Sequence, residues 1–149
     1  MNPAISFHQI ALRLRQLDDW QDRYRYILQL GQALPDLGNT EKIAGNRVDG
    51  CASQVWLVPD AEQRNGQIIL SYRGGSDAKI VQGLVAIVLA LYSGRTAAEI
   101  LSTDASAIFD GLGLREHLTM QRANGMVAMV SRIRADAQAY AKLYVRFVP

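Results

Sequence analysis

Gly45-Asn46-Arg47-Val48-Asp49-Gly50-Cys51-Ala52-Ser53-Gln54-Val55-Trp56-Leu57-Val58 passes from a polar, glycine-bracketed loop into an apolar run of β-branched and aromatic residues. Gly45 and Gly50 let the backbone take tight-turn or left-handed conformations. From Ser53 to Val58 the composition predicts a strand, ending near Pro59. Asn65-Gly66 follows, a strong hairpin signal because a type I′ turn needs positive φ at both central residues. Gln67 to Arg73, with Ile68, Ile69, Leu70 and Tyr72, predicts the returning strand. Two strands alone are marginal in water, so a third short strand is expected near Asn46–Val48, with helices covering one face. The predicted class is α/β in the α+β sense: a short antiparallel sheet, built on a β-hairpin, packed against several helices.

Working outward, Gly74-Gly75-Ser76-Asp77 reads as the end of the second strand, with Ser76 or Asp77 capping a helix to about Ser93. From Ile80 to Tyr92 only Gln82 is clearly polar. A helix apolar on all sides belongs in a core or a membrane. Its thirteen residues fall short of the ~20 that span a bilayer, so it is assigned to the core. Upstream, Ser6-x-x-Gln9 and Asp18-x-x-Gln21 open two helices, the second carrying Trp20, Tyr24, Ile27 and Leu28 on a buried stripe and stopping before Pro35. Gly31 inside it is a mild penalty. Leu37 to Ala44 reads as a lead-in to the cysteine loop. Downstream, Thr96-x-x-Glu99 and Asp104 open two short helices, and Thr119 begins a long one to about Tyr144, with Met126, Met129, Val130, Ile133, Ala137 and Tyr140 keeping a 3–4 residue rhythm. The sequence leaves open whether Tyr144 to Pro149 folds back, meets a partner or frays.

The chain has 149 residues, 49% of them apolar, a formal charge of +2 and a single cysteine. That length carries a real core, and one domain over residues 1–149 is the simplest reading. One cysteine excludes an internal disulfide. The charge is too small to argue for nucleic acid or a membrane surface as partner. No basic segment followed by an apolar run opens the chain, so a cytoplasmic location is expected. No heptad or self-complementary stripe is readable, which leaves monomer or homodimer open.

Cys51 has two readings on its own residues. A free cysteine commonly packs as a small inert hydrophobe. Here its neighbours are polar or glycine, Arg47 would lower the thiol pKa and Asp49 would oppose it. The residues alone leave reactive and inert open. A metal site is poorly supported, because structural zinc takes about four Cys or His ligands and this chain offers Cys51, His8 and His117. An iron–sulfur scaffold meets the same shortage. Cysteine hydrolysis needs a base beside the thiol, and neither histidine has the local context for it. Strand–Gly74-Gly75-Ser76–helix has the outline of a phosphate-binding turn, but without a phosphate-loop or dinucleotide fingerprint the plain turn is preferred.

Asn46-Arg47-Val48-x-Gly50-Cys51-x-Ser53-Gln54-Val55-Trp56-Leu57 resembles the cysteine loop of the SufE family. Gly75-Ser76-Asp77-Ala78-x-Ile80-Val81-x-Gly83-Leu84, Phe109-x-x-Leu112-Gly113-Leu114 and Arg122-x-Asn124-Gly125-Met126 follow in family order. The similarity covers nearly the whole chain, weakening in the first fifteen residues and after about Ile133.

This resemblance implies a SufE/IscU-like fold and a sulfur acceptor for iron–sulfur cluster assembly. Cys51 matches the cysteine that takes persulfide sulfur from a SufS- or CsdA-type cysteine desulfurase, stimulates that enzyme and passes sulfur to a downstream scaffold. Such a protein is a carrier rather than a stand-alone enzyme. The pyridoxal phosphate belongs to the desulfurase, and no cofactor or metal is expected on this chain. Asp77 and Arg122 match positions expected near the loop or the partner surface. Asp77 also reads as a plain helix cap, and Arg122 as a solvated helix cation. Asn46 and Gln54 are further hydrogen-bonding candidates for the loop. The rival from another class is a non-catalytic binding module in which Cys51 is buried and inert.

Overall fold

The computed structural model describes residues 5–147. Two helices lead, α1 (Phe7–Gln16) and α2 (Trp20–Gln32). The Ser6/Gln9 capping box forms as the spacing predicts. α2 starts one residue later than expected, because Asp19 rather than Asp18 caps it, its carboxylate accepting from Gln21 N–H at 2.9 Å. A hairpin follows, β1 (Val55–Arg64) and β2 (Gln67–Ser76), then the central helix α3 (Lys79–Tyr92). A short strand β3 (Arg95–Thr96) precedes α4 (Ala97–Ser102), α5 (Ala105–Gly111), α6 (Leu114–His117) and the long α7 (Met120–Phe147). Tyr144 to Phe147 continue α7, and the last two residues of the tail lie outside the described residues.

The sheet has three antiparallel strands in the order β1-β2-β3. Asn65 (φ 53°) and Gly66 (φ 76°) make the expected turn. β1 does not stop at Pro59: that residue pairs with Tyr72 and the ladder runs on to Arg64↔Gln67. β1 is an edge strand, where a residue without an N–H is tolerated. β2 likewise runs three residues further than expected, with Val55↔Ser76, Trp56↔Gly75 and Leu57↔Gly74 in register. Gly74 and Gly75 therefore lie inside a strand, and the outline of a phosphate-binding turn is not realised.

The third strand is not where the sequence suggested. β3 pairs with Ile69 and Leu70 on the far side of β2. Asn46–Val48 instead follows a 3-10 turn (Ala44–Asn46) and touches β1 through one isolated bridge, Arg47↔Trp56. Val48 N–H bonds to Val55 O of β1 at 2.8 Å, while the Gly45 and Arg47 carbonyls turn to α7.

α3 is buried nearly all round, with Ile80, Leu84, Val85, Ile87, Val88 and Leu91 in a core shared with Leu57, Leu70, Met129 and Ile133. Within its apolar run Gln82 bridges two elements, donating to Gly31 O at 2.9 Å and accepting from Ser76 N–H at 3.3 Å. α2 and α3 meet backbone to backbone at Gly31 and Gly83. A Cβ on Gly31 would lie 2.7 Å from Gly83 N, and one on Gly83 would fall on the Ile27 carbonyl. Gly31 is thus a condition of the helix crossing rather than a blemish in α2. α7 closes the other side, burying Met126, Met129, Ile133 and Ala137.

Candidate functional site

The loop from Gly45 to Gln54 lies against one face of α7, and its partners are spaced along that helix. The Cys51 thiol donates to Gly125 O at 3.6 Å, a weak sulfur hydrogen bond. Gly50 sits at φ 92°, and a Cβ there would be 3.3 Å from Ala128 Cβ. Both the positive φ and the close helix favour glycine at this position. Two turns on, the Arg132 guanidinium donates to Arg47 O at 3.1 Å and to Gly45 O at 2.5 Å. Positions 125, 128 and 132 share one face of a 3.6-residue helix, so a single stripe of α7 receives the whole arm from Gly45 to Cys51.

The loop's other end is tied to the junction between β2 and α3. Gln54 N–H donates to Asp77 Oδ1 at 3.0 Å, Asp77 N–H to Gln54 O at 3.3 Å, and Ser76 Oγ to Gln54 O at 2.7 Å. Asp77 is accordingly not the helix cap. α3 is preceded by Ala78 with no side-chain cap, because the Asp77 carboxylate is committed to the loop. Between the two ends, Val48 N–H bonds to Val55 O at 2.8 Å and closes the base of the tip. Asn46 Nδ2 donates to Glu41 O at 2.9 Å, and Glu41 pairs with Arg73 of β2. Lys42 lies over the buried Trp56 ring at 5.6 Å, a modest cation–π contact.

Cys51 is half-buried, packed against the core but not sealed in it. Burial pushes its thiol above the ordinary value, since a low-dielectric setting disfavours the thiolate. The lowering expected from Arg47 is not realised, as Arg47 is exposed and burial is the sole cause of the shift. In this conformation burial favours the thiol over the thiolate, and a thiolate is favoured by exposure to water or by a neighbouring cation.

Asp77 is therefore brought to the loop, while Arg122 is less engaged. Arg122 lies on α7 one turn before Gly125, half-buried, and its guanidinium makes no hydrogen bond or ion pair among the described residues. His117 is not a base for the thiol: it stacks on Trp20 at 4.5 Å between ring centroids. His8 is exposed on α1. Among the described residues no group of three or more His, Cys, Asp or Glu is placed to hold a metal ion. A cavity of about 190 Å³ lies between α5, α6 and α7, walled by Phe109, Leu114, Leu118, Met126 and Val130; Cys51, Asp77 and Arg122 do not line it. No described helix is long and apolar enough to cross a membrane.

Sequence reasoning missed Arg132 and the groups behind it. Arg132 Nε faces Asp136 at 3.4 Å, and Asp136 accepts from Tyr72 OH of β2 at 2.9 Å. The only trace of this chain in the sequence is an Arg-x-x-x-Asp spacing in an Ala-rich helix, which is common on solvated faces.

Comparison with known proteins places this arrangement among relatives. The profile of the SufE family, described as an Fe-S metabolism associated domain, matches residues 8–137. An uncharacterized SufE-like protein of Rhizobium etli is 54% identical over 125 residues, 84% of each chain. One of Rhizobium meliloti is 49% identical over 133 residues, covering 89% of this chain and 95% of that one. In three dimensions the chain is similar to a hypothetical protein of Thermus thermophilus solved in solution, with a TM-score of 0.68 at 19% identity, over 91% of this chain and 96% of the other.

Proposed function

This chain belongs to the SufE family, associated with Fe–S metabolism, and we propose that it carries sulfane sulfur on Cys51. The donor on this reading is the cysteine persulfide of a SufS- or CsdA-type desulfurase, and the recipient is an iron–sulfur scaffold. The observation that carries the reading is the build of the loop. Both its ends are tied by charge-assisted hydrogen bonds, while the thiol at its middle is retained by one 3.6 Å S–H···O contact. A tip so weakly held swings without unmaking its anchors.

The transfer needs no oxidant. The Cys51 thiol gives up its proton, and the thiolate attacks the outer sulfur of the donor persulfide. The new S–S bond forms on Cys51 as the donor's S–S bond breaks, and the donor cysteine leaves as a thiolate. Sulfane sulfur changes owner and the oxidation count is unchanged. A lone cysteine suits this step, since a second thiol nearby would resolve the persulfide into a disulfide. The chain acts as one domain throughout, and Asp77 serves by fixing the loop's exit. Arg122, one turn of α7 before Gly125 and with no side-chain partner among the described residues, is the cation proposed to favour the thiolate once the tip moves.

Intact mass after incubation with an active desulfurase and cysteine tests the reading. Wild type gains one or more sulfur atoms, reversibly with reductant, and Cys51→Ser gains none while keeping its fold and its affinity for the desulfurase. No gain with several active SufS-type desulfurases would return the chain to the rival reading, a binding module with an inert cysteine.

A further inference from the structure

We propose that Arg132 is a positioning residue that sets how deeply the Cys51 loop sits on α7. Its meaning for sulfur transfer rests on the carrier reading above; its geometry does not. The arm from Gly45 to Val48 is fixed at its far end, where Val48 is buried and its N–H bonds to Val55 O beside the one isolated bridge to β1, but these contacts leave the Gly45 and Arg47 carbonyls unheld. What draws it to the helix is the guanidinium fork, with one nitrogen on Gly45 O and another on Arg47 O. Two carbonyls separated by one residue suit a planar, multi-donor group, and a single ammonium cannot copy the arrangement.

The fork is itself aimed. Asp136, one turn along α7, faces Arg132 Nε at 3.4 Å. Tyr72 OH, from the central strand, donates to the other oxygen of that carboxylate at 2.9 Å. The two charged side chains are only 29% and 18% exposed, so solvent screens them less than a surface pair. The path sheet–Tyr72–Asp136–Arg132–loop fixes the arm relative to the core. Because Gly50 and Cys51 follow that arm, its height above α7 decides whether Gly50 meets Ala128 and whether the thiol reaches the Gly125 carbonyl. Arg132 does not touch the sulfur and acts through the backbone alone.

The test is the rate at which iodoacetamide labels Cys51 in the folded chain, without any desulfurase. Arg132→Met is expected to label about tenfold faster than wild type, the scale of losing charge-assisted hydrogen bonds that hold one segment. Arg132→Lys, which reaches one carbonyl, falls between the two. Asp136→Asn, which loosens the aim and keeps the fork, also labels faster than wild type. Ile133→Val, a core truncation on the same helix, is the control: it loses thermal stability and labels at close to the wild-type rate. Labelling of Arg132→Met at the wild-type rate would overturn the proposal. So would equal acceleration in Ile133→Val, since labelling would then follow general unfolding, and so would a lysine variant no slower than the methionine one. The carrier reading is decided separately by sulfur loading of wild type, which can fail while the labelling series still gives its answer.

Discussion

On the carrier reading Cys51 faces two demands, protection and reactivity, and the residues around it bear on the first. Packing against α7 raises its pKa by desolvation. The alkylation rate of the folded protein should therefore rise with pH through an inflection above the ordinary ~8.5 of a free thiol. The urea-unfolded chain should inflect near that ordinary value. The sign follows from burial penalising the charged form, and an inflection below the free value would mean that a cation, not burial, governs the thiol. Asp77 is the second residue whose role is sharper in the structure than in the sequence. Its carboxylate accepts the Gln54 N–H from an exposed position, so Asp77→Ala should cost about 1 kcal/mol and lower the melting midpoint by about 3 °C. Asp77→Asn keeps an acceptor oxygen and should recover most of the loss, and calorimetry of both variants checks the pair. The cap reading of Asp77 failed because a carboxylate before a helix has two uses, and sequence does not show that a loop 23 residues upstream has taken it.

Elements show the same division between local rules and distant partners. The capping boxes at Ser6 and Thr96, the Asn65-Gly66 turn and the apolar run of α3 were readable because each depends on neighbours within a few residues. The third strand was misplaced because strand pairing is a long-range choice: β3 finds β2 across α3, while Asn46–Val48 is claimed by α7. The α2–α3 crossing is the clearest instance. Gly31 and Gly83 are 52 residues apart in the sequence and each looks like a helix weakness alone. Together they permit backbone contact, and Gln82 secures it through the Gly31 carbonyl. Gly83→Ala should therefore destabilise despite a helix-propensity gain of about 1 kcal/mol. The added Cβ meets the Ile27 backbone, which no rotamer relieves, and overpacking of this kind costs roughly 1–3 kcal/mol or more. The expected net loss is about 2 kcal/mol, seen as a fall of about 5 °C or more in melting midpoint. An unchanged midpoint would mean that the two helices separate at little cost.

Across the whole molecule, the fold class and the loop that carries the lone cysteine were within reach of the sequence, and the device that holds the cysteine was not. Every contact that seats the loop on α7 joins residues 74 to 87 positions apart. None of the residues involved is unusual in its own neighbourhood: a glycine, an alanine and an arginine in a helix. The molecule is arranged so that its last helix is both a wall of the core and the bed of its loop. The single bond at the loop's tip has one more consequence. The Cys51 S–H donates a hydrogen bond to the Gly125 carbonyl. Once an outer sulfur is attached, the inner sulfur has no hydrogen left to offer, and the terminal S–H stands about 2 Å further out along the new S–S bond. On the carrier reading, cargo dissolves the latch that keeps the empty tip at rest, so a laden molecule and an unladen one present different faces to whatever meets them next.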